Sequence, residues 1–371
     1  EIAQCLVGSE MCIRDRIIGI SVFLVIVLIT VSILMFPLKG KTYDYDYWYR
    51  DKPYDINDTI VLEKEENKDF KILIITDLQF NDALDLCGKA DNVYETVDTL
   101  VTKQKPDLIV ITGDLVWAKF TKFSVIKAIN KIDSYGIPWA PINGNHDGEG
   151  NVDLAWIANK YEEAENCLFK QGPDNIGGIG NYIINIREND KIVQSLIMMD
   201  THASRYYDKD DENMHYDFIF DSQIEWYKWA INGINEYNNS KTDSMIFMHI
   251  PIPEFKTAYD LWQQEGGAEG ENFGIKGEEE CPSYINTGMF NAIKEFDSTK
   301  YVFAGHDHLN NYSVMYEGVR LTYAMKTGDR CNQTPGQNGG TLITMGDKIT
   351  VEHIYCLLYT SPSPRDTERS R

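Results

Sequence analysis

The sequence predicts an α/β domain preceded by one transmembrane helix. Three observations carry that reading. Apolar runs of strand length recur from residue 70 onward, helical stretches separate several of them, and residues 17–36 form a run of 20 residues without a charge. Strands alternating with helices point to an α/β arrangement whose strands are largely buried. With 371 residues, 43% hydrophobic and 12% aromatic, the chain can bury a sizeable core, which excludes disorder and a disulfide-stapled miniprotein.

The segments follow in chain order. Residues 1–16 and 356–371 look foreign. Five of the ten Arg lie there (Arg14, Arg16, Arg365, Arg369 and Arg371), whereas the body between them holds five Arg beside 25 Lys. The codons tgt ctc tta tac aca tct encode residues 356–361, and the opposite strand of that DNA, frame-shifted, encodes residues 10–16. Both ends resemble translated sequencing adapter read in opposite directions. They are set aside as a tag would be, with the true start of the protein expected to be missing.

At a rise of about 1.5 Å per residue, 20 helical residues span the ~30 Å hydrocarbon core. Residues 17–36 therefore read as a transmembrane helix or signal anchor. A cleaved signal peptide has a shorter apolar region followed by small residues, and residues 37–41 (Pro-Leu-Lys-Gly-Lys) offer no such site. Arg14 and Arg16 belong to the excluded tail and cannot be counted for the positive-inside rule. The expected placement is a membrane-anchored protein whose main domain is extracytoplasmic. Residues 37–69 read as a juxtamembrane linker, and residues 70–355 as one domain.

Within that domain the predicted strands are 71–76, 108–112, 139–142, 195–199, 245–248 and 301–304, and the predicted helices 92–103, 124–134, 153–165 and 223–237. Two stretches, 202–221 and 254–284, read as long loops, the first acidic and Tyr-rich, the second rich in Gly and Glu. Cys87, Cys167, Cys281 and Cys331 lack C-x-x-C spacing, which leaves up to two disulfides or isolated thiols. Asp and Glu number 57 against 35 Lys and Arg, a net charge of −22, so nucleic acid binding is not expected. An anionic ligand must be drawn in locally, for example by metal ions.

Five of the strands run into polar residues that can bind metals. These are Ile-Ile-Thr-Asp77-Leu-Gln79, Val-Ile-Thr-Gly-Asp114, Pro-Ile-Asn-Gly-Asn145-His146-Asp147, Ile-Phe-Met-His249 and Val-Phe-Ala-Gly-His306-Asp-His308. Ligands of open α/β sheets bind beyond the carboxyl ends of the strands, where these side chains can converge. An Asp or His at a strand end is usually a turn or cap residue, but five such coincidences point to a site. Strand alternation lets Asp77 and Gln79, and likewise His306 and His308, share a face. Carboxylate, imidazole and amide oxygen together suit divalent Zn, Mn, Fe or Mg.

In that order, Asp77, Gly113-Asp114, Gly144-Asn-His-Asp147, His249 and Gly305-His-Asp-His308 resemble the five blocks of the calcineurin-like metallophosphoesterases. These include purple acid phosphatases and many bacterial phosphoesterases. The resemblance implies a sandwich of two mixed β-sheets flanked by helices, over about residues 70–350. It implies two divalent metal ions: the first held by Asp77, Asp114 and His308, the second by Asp114, Asn145, His249 and His306. His146 would act as the acid on the leaving oxygen, with Asp147 behind it. The implied activity is hydrolysis of phosphomonoesters by hydroxide attack at a two-metal centre. A phosphodiesterase acting on a nucleotide or lipid head group, and a catalytically weak metal-binding module, are the alternatives. The sequence departs from the family at Gln79, where a His is usual, and at Trp117, where purple enzymes carry a Tyr ligand to ferric iron. Lys326 and Arg330 are candidate contacts to the substrate phosphate.

Overall fold

A computed structural model of the chain describes residues 2–42, 52–81, 93–118, 121–208, 212–268, 270–332, 334 and 336–356. It has two compact units, Glu1–Leu38 and Lys39–Arg371. The first is a helix, α1 (Ile2–Met35), whose side chains are exposed throughout 15–32. Its window Asp15–Ser32, with mean hydropathy 2.2, is long and apolar enough to cross a membrane. A membrane anchor and a signal sequence share these properties.

The second unit is built on two mixed sheets. In the five-stranded sheet, β2 (Phe70–Ile75), β3 (Leu108–Thr112) and β4 (Trp139–Ile142) lie side by side in parallel. Beyond β2 the sheet continues antiparallel through β13 (Gly339–Met345) and β14 (Ile349–Tyr355). The seven-stranded sheet contains β1 (Ile60–Glu63), β5 (Tyr182–Glu188), β6 (Lys191–Met198), β9 (Ser244–Phe247), β10 (Thr299–Ala304), β11 (Ser313–Tyr316) and β12 (Val319–Tyr323). Its order is β1-β5-β6-β9-β10-β12-β11. A short pair, β7 (Ser204–Arg205) and β8 (His215–Tyr216), stands apart.

Helices cover the outer faces. On the five-stranded sheet, α2 (Val93–Gln104) packs over β2 and β13; α3 (Thr121–Asp133) and α4 (Leu154–Glu163) pack together. On the seven-stranded sheet, α5 (Asp221–Asn238) meets β6, α6 (Glu254–Glu265) meets β11 and β12, and α7 (Met289–Phe296) meets β10. Every residue of β3 and of β9 is therefore buried, as strands covered on both sides must be. Period-2 alternation divides their contacts. Ile246 joins the cluster with Trp226 and Ile293, while Phe247 stacks on Phe303 at 5.2 Å, on the other face.

The sequence reading needs several corrections. The stretch 254–284 begins with the twelve-residue helix α6, whose buried Phe255 and Ala258 lie three residues apart on one face. The linker 37–69 contains the edge strand β1, paired in parallel with β5 from Ile60↔Ile184 to Glu63↔Arg187, so the sheet begins before residue 70. Strands β5, β11, β12, β13 and β14 and helix α7 were not anticipated. Cys167, Cys281 and Cys331 are free thiols, and Cys87 lies outside the described residues. Of the terminal stretches, residues 2–16 belong to α1, Cys356 is buried with its N–H donating to Asn338 O, and 357–371 lie outside the described residues.

One histidine away from the strand-end cluster couples the fold to pH. His353 on β14 sits opposite Thr341 on β13. Its Nε2–H donates to Asn311 O at 2.5 Å, and its Nδ1 accepts from the Thr341 hydroxyl at 3.0 Å. Burial holds its pKa down at about 4, although the bond to Asn311 O favours the proton. The unfolded chain, with an ordinary His near pH 6.5, takes up that proton first, so stability falls as pH drops from about 6.5 to 4. The expected loss is on the order of 2 kcal/mol, discounted for partial exposure, and His353→Gln should flatten it in urea melts across that range.

Candidate metal centre

The site lies where the carboxyl ends of β2, β3, β4, β9 and β10 meet. Cross-sheet bonds join them: His249 to Thr112 O at 2.8 Å, and His306 N–H to Asp77 Oδ2 at 3.2 Å. Asp77, Gln79, Asp114 and His306 all have left-handed backbone, with φ of 50°, 50°, 51° and 75°. Such geometry is costly for residues other than glycine, and clusters where surroundings force it. Asp77, Gln79, His306 and His308 lie past the strand ends, so turns, not the pleat, aim them.

Gly113 has φ of 93°, and a Cβ there would collide with the His249 ring; at Gly144 a Cβ would collide with Asp114. Asp147 accepts from Gly144 N–H at 2.7 Å and from Val116 N–H at 3.0 Å, fixing the turn that presents Asn145 and His146. Burial and the Asp114 carboxylate raise its pKa to about 7.

Asp77, Asp114 and His249 converge with ligand atoms within 4.8 Å of one another. His249 donates through Nδ1 to Thr112 O, which leaves the Nε2 lone pair facing Asn145 Oδ1 at 2.9 Å and Asp114 Oδ1 at 3.4 Å. His308 Nε2 lies 3.4 Å from Asp77 Oδ1. The His306 ring stands edge-on to His249 and to Tyr216, and its backbone N–H reaches Asp77. Among the described residues, the buried oxygens Asp77 Oδ1 and Asp114 Oδ2 have no hydrogen-bond partner. Burial raises the pKa of Asp77, but His308, His249 and Lys326 more than offset it and hold the carboxyl well below its usual range. His249 shifts upward: burial opposes its charge, and Asp114 and Asp77 outweigh burial. Buried carboxylates that each keep one oxygen without a hydrogen bond, beside imidazole and amide groups, are a donor set suited to a divalent cation.

His146 is positioned rather than converged. Its N–H donates to Asp114 Oδ1 at 2.9 Å, its Nδ1 lies 2.8 Å from Glu149 Oε2, and its Nε2 lies 3.9 Å from Asp114 Oδ2. The ring is 31% exposed and packs beside Trp117 at 5.8 Å. Lys326 is only 3% exposed, and it donates to the Gln79 carboxamide oxygen. Arg330 is partly exposed, four residues beyond Lys326. Sequence reading missed Thr112, Glu149 and Tyr216, since a backbone carbonyl, a turn residue and a two-residue strand carry no pattern. Glu149, three residues after His146, was the one that spacing could have suggested.

A model of the calcineurin-like phosphoesterases matches residues 70–310, and the chain belongs to that family. It is 30% identical over 260 residues to the Arabidopsis thaliana protein named "Probable inactive purple acid phosphatase 14", covering 64% of this chain and 62% of that one. It is 30% identical over 285 residues to Phosphatase DCR2 of Saccharomyces cerevisiae, covering 70% and 47%. The chain thus spans less than two thirds of the length of both relatives. A dimetal phosphatase from Danio rerio shares the fold, with a TM-score of 0.50 and 10% identity over 76% of this chain and 95% of that one. The family uses divalent metal ions, and Asp77, Asp114 and His249 form the candidate site.

Asp114 is central to this cluster, so Asp114→Asn should separate metal affinity from stability. Metal binding should weaken by at least ~10²-fold. The metal-free protein should gain about 1–2 kcal/mol, because one of three crowded carboxylates is neutralised. Calorimetric metal titration and chemical denaturation of the stripped protein read the two effects; parallel losses in both would refute the assignment.

Proposed function

We propose that the chain is a metal-dependent hydrolase of phosphomonoesters. The observation that carries this reading is the pair of unpartnered buried oxygens, Asp77 Oδ1 and Asp114 Oδ2, set among imidazole and amide groups. Asp77, Asp114 and His308 would hold one ion, and Asp114, Asn145, His249 and His306 a second, with Asp114 shared. Divalent ions bound there would activate water and neutralise the phosphoryl oxygens for in-line displacement. They would also offset the repulsion of a phosphate by a chain of net charge −22.

The protein's own part is positioning and proton transfer. The backbone N–H of His146 bonds to Asp114 and its ring Nδ1 lies 2.8 Å from Glu149, an arrangement that supports protonation of the leaving oxygen through Nε2. A cavity of about 480 Å³ opens beside Asn145, with Leu154, Ile179 and Met214 in its wall. We assign the leaving group to it. The apolar helix would tether the domain to a membrane, with the domain on the extracytoplasmic side. The names of the Arabidopsis relatives favour a second reading, a metal-binding module with weak catalysis.

Turnover separates the two. Dialysis against chelator should abolish hydrolysis, and added Mn²⁺ should restore it. His146→Ala should cost about 10²–10⁴-fold on an alkyl phosphate and much less on a nitrophenyl ester, whose leaving group needs no acid. Equal losses on both esters would remove the acid role. A native protein that binds metal yet cleaves neither ester would favour the weak module.

A further inference from the structure

Lys326 gives the centre an asymmetry. The segment after β12 is pinned beneath the Asp77 turn: Ala324 N–H donates to Ala304 O, Met325 N–H to Thr341 Oγ1, and Thr327 N–H to Thr76 O. At Gly328, a Cβ would collide with Asp77 O. The Lys326 side chain therefore runs inward from a fixed backbone. Its Nζ donates to Gln79 Oε1 at 3.1 Å and to Asp77 O at 3.3 Å.

An ammonium group has donors only, so the Gln79 carboxamide must turn its oxygen toward Lys326. Its NH₂ then faces His308, with Gln79 Nε2 3.2 Å from His308 Nε2. A carboxamide ligates a cation through oxygen, and here that oxygen is already engaged. On the Asp77–His308 side, one potential ligand is withdrawn and a fixed positive charge stands close by. On the other side, His249 Nε2 lies 2.9 Å from Asn145 Oδ1 and 3.4 Å from Asp114 Oδ1, and among the described residues no Lys or Arg is bonded to either oxygen.

We propose that the Lys326–Gln79 pair makes the two metal positions unequal. The Asp114–Asn145–His249–His306 position fills first and tightly. The Asp77–His308 position fills only when free metal is abundant, so metal supply regulates the site. This rests on the metal-centre reading above and adds what sets occupancy.

The test is Mn²⁺ titration of the metal-free full chain, followed by calorimetry and by electron paramagnetic resonance. Native protein should give an isolated Mn²⁺ signal at one equivalent, with a second equivalent binding roughly 10²-fold more weakly. Lys326→Met should strengthen the second step about tenfold or more and leave the first within a few-fold. The double variant Gln79→His/Lys326→Met should show a spin-coupled pair at two equivalents. Should Lys326→Met fail to fold, Gln79→His alone, which keeps the lysine, should still strengthen the second step severalfold. Second-step affinity unchanged in every folded variant, or a coupled pair in the native protein at one equivalent, would overturn the proposal. Uptake of one tight Mn²⁺ with that result would leave the metal-centre reading standing, whereas no uptake by any variant would overturn both.

Discussion

Two buried carboxylates held side by side without enough hydrogen-bond donors set the terms for the rest of this domain. Isolated anions in a protein interior cost several kcal/mol each, and like charges crowded together add to that cost. The fold does not relax that crowding. Instead it holds Asp77 and Asp114 in left-handed turns, at φ of 50° and 51°, and surrounds them with His249, His308 and Lys326. Strain of this kind persists only where neighbours over-determine the backbone. The neighbours here are the glycine at 113, the Asp147 clamp on Gly144, and the bonds that cross between the sheets.

Those cross-sheet bonds link architecture to chemistry. Parallel strands deliver Asp77, Asp114 and Asn145 from one sheet, and His249, His306 and His308 from the other, to a common edge. Neither sheet carries a complete donor set. The Thr112 carbonyl is both part of the seam and the group that orients His249, so a shift of one sheet against the other would also turn a ligand. Residues 202–221 add to the same place: Tyr216 of β8 packs edge-on against His306 at 4.4 Å, and Met214 walls the adjacent cavity. Loops on a rigid scaffold are where specificity varies, and this loop lies against the ligand cluster itself.

Charge is distributed to the same end. A chain of net charge −22 repels anions at long range, and the described site is itself rich in carboxylate. Lys326, fully enclosed, supplies positive charge that no solvent screens, held to Gln79 and to the Asp77 backbone. A lysine so placed serves Gln79 and the Asp77 turn rather than the surface.

The sequence by itself determined the α/β class, the strands that end in ligands and the residue types gathered there, because buried strands need continuous apolar runs and metals need particular donors. It marked β2, β3, β4, β6, β9 and β10, each of which carries an apolar run of three or more residues. It passed over β1, β11, β12 and β14, whose partly exposed residues weaken the pattern, and α6, whose acidic and polar face conceals a narrow buried stripe. Tertiary structure alone decided which way Gln79 points and that Lys326 is interior. Their bond joins residues 247 positions apart, and no local pattern encodes a hydrogen bond made when two distant turns are brought together. The same holds for the Thr112 carbonyl beneath His249: backbone atoms are identical at every position, so only packing can single one out.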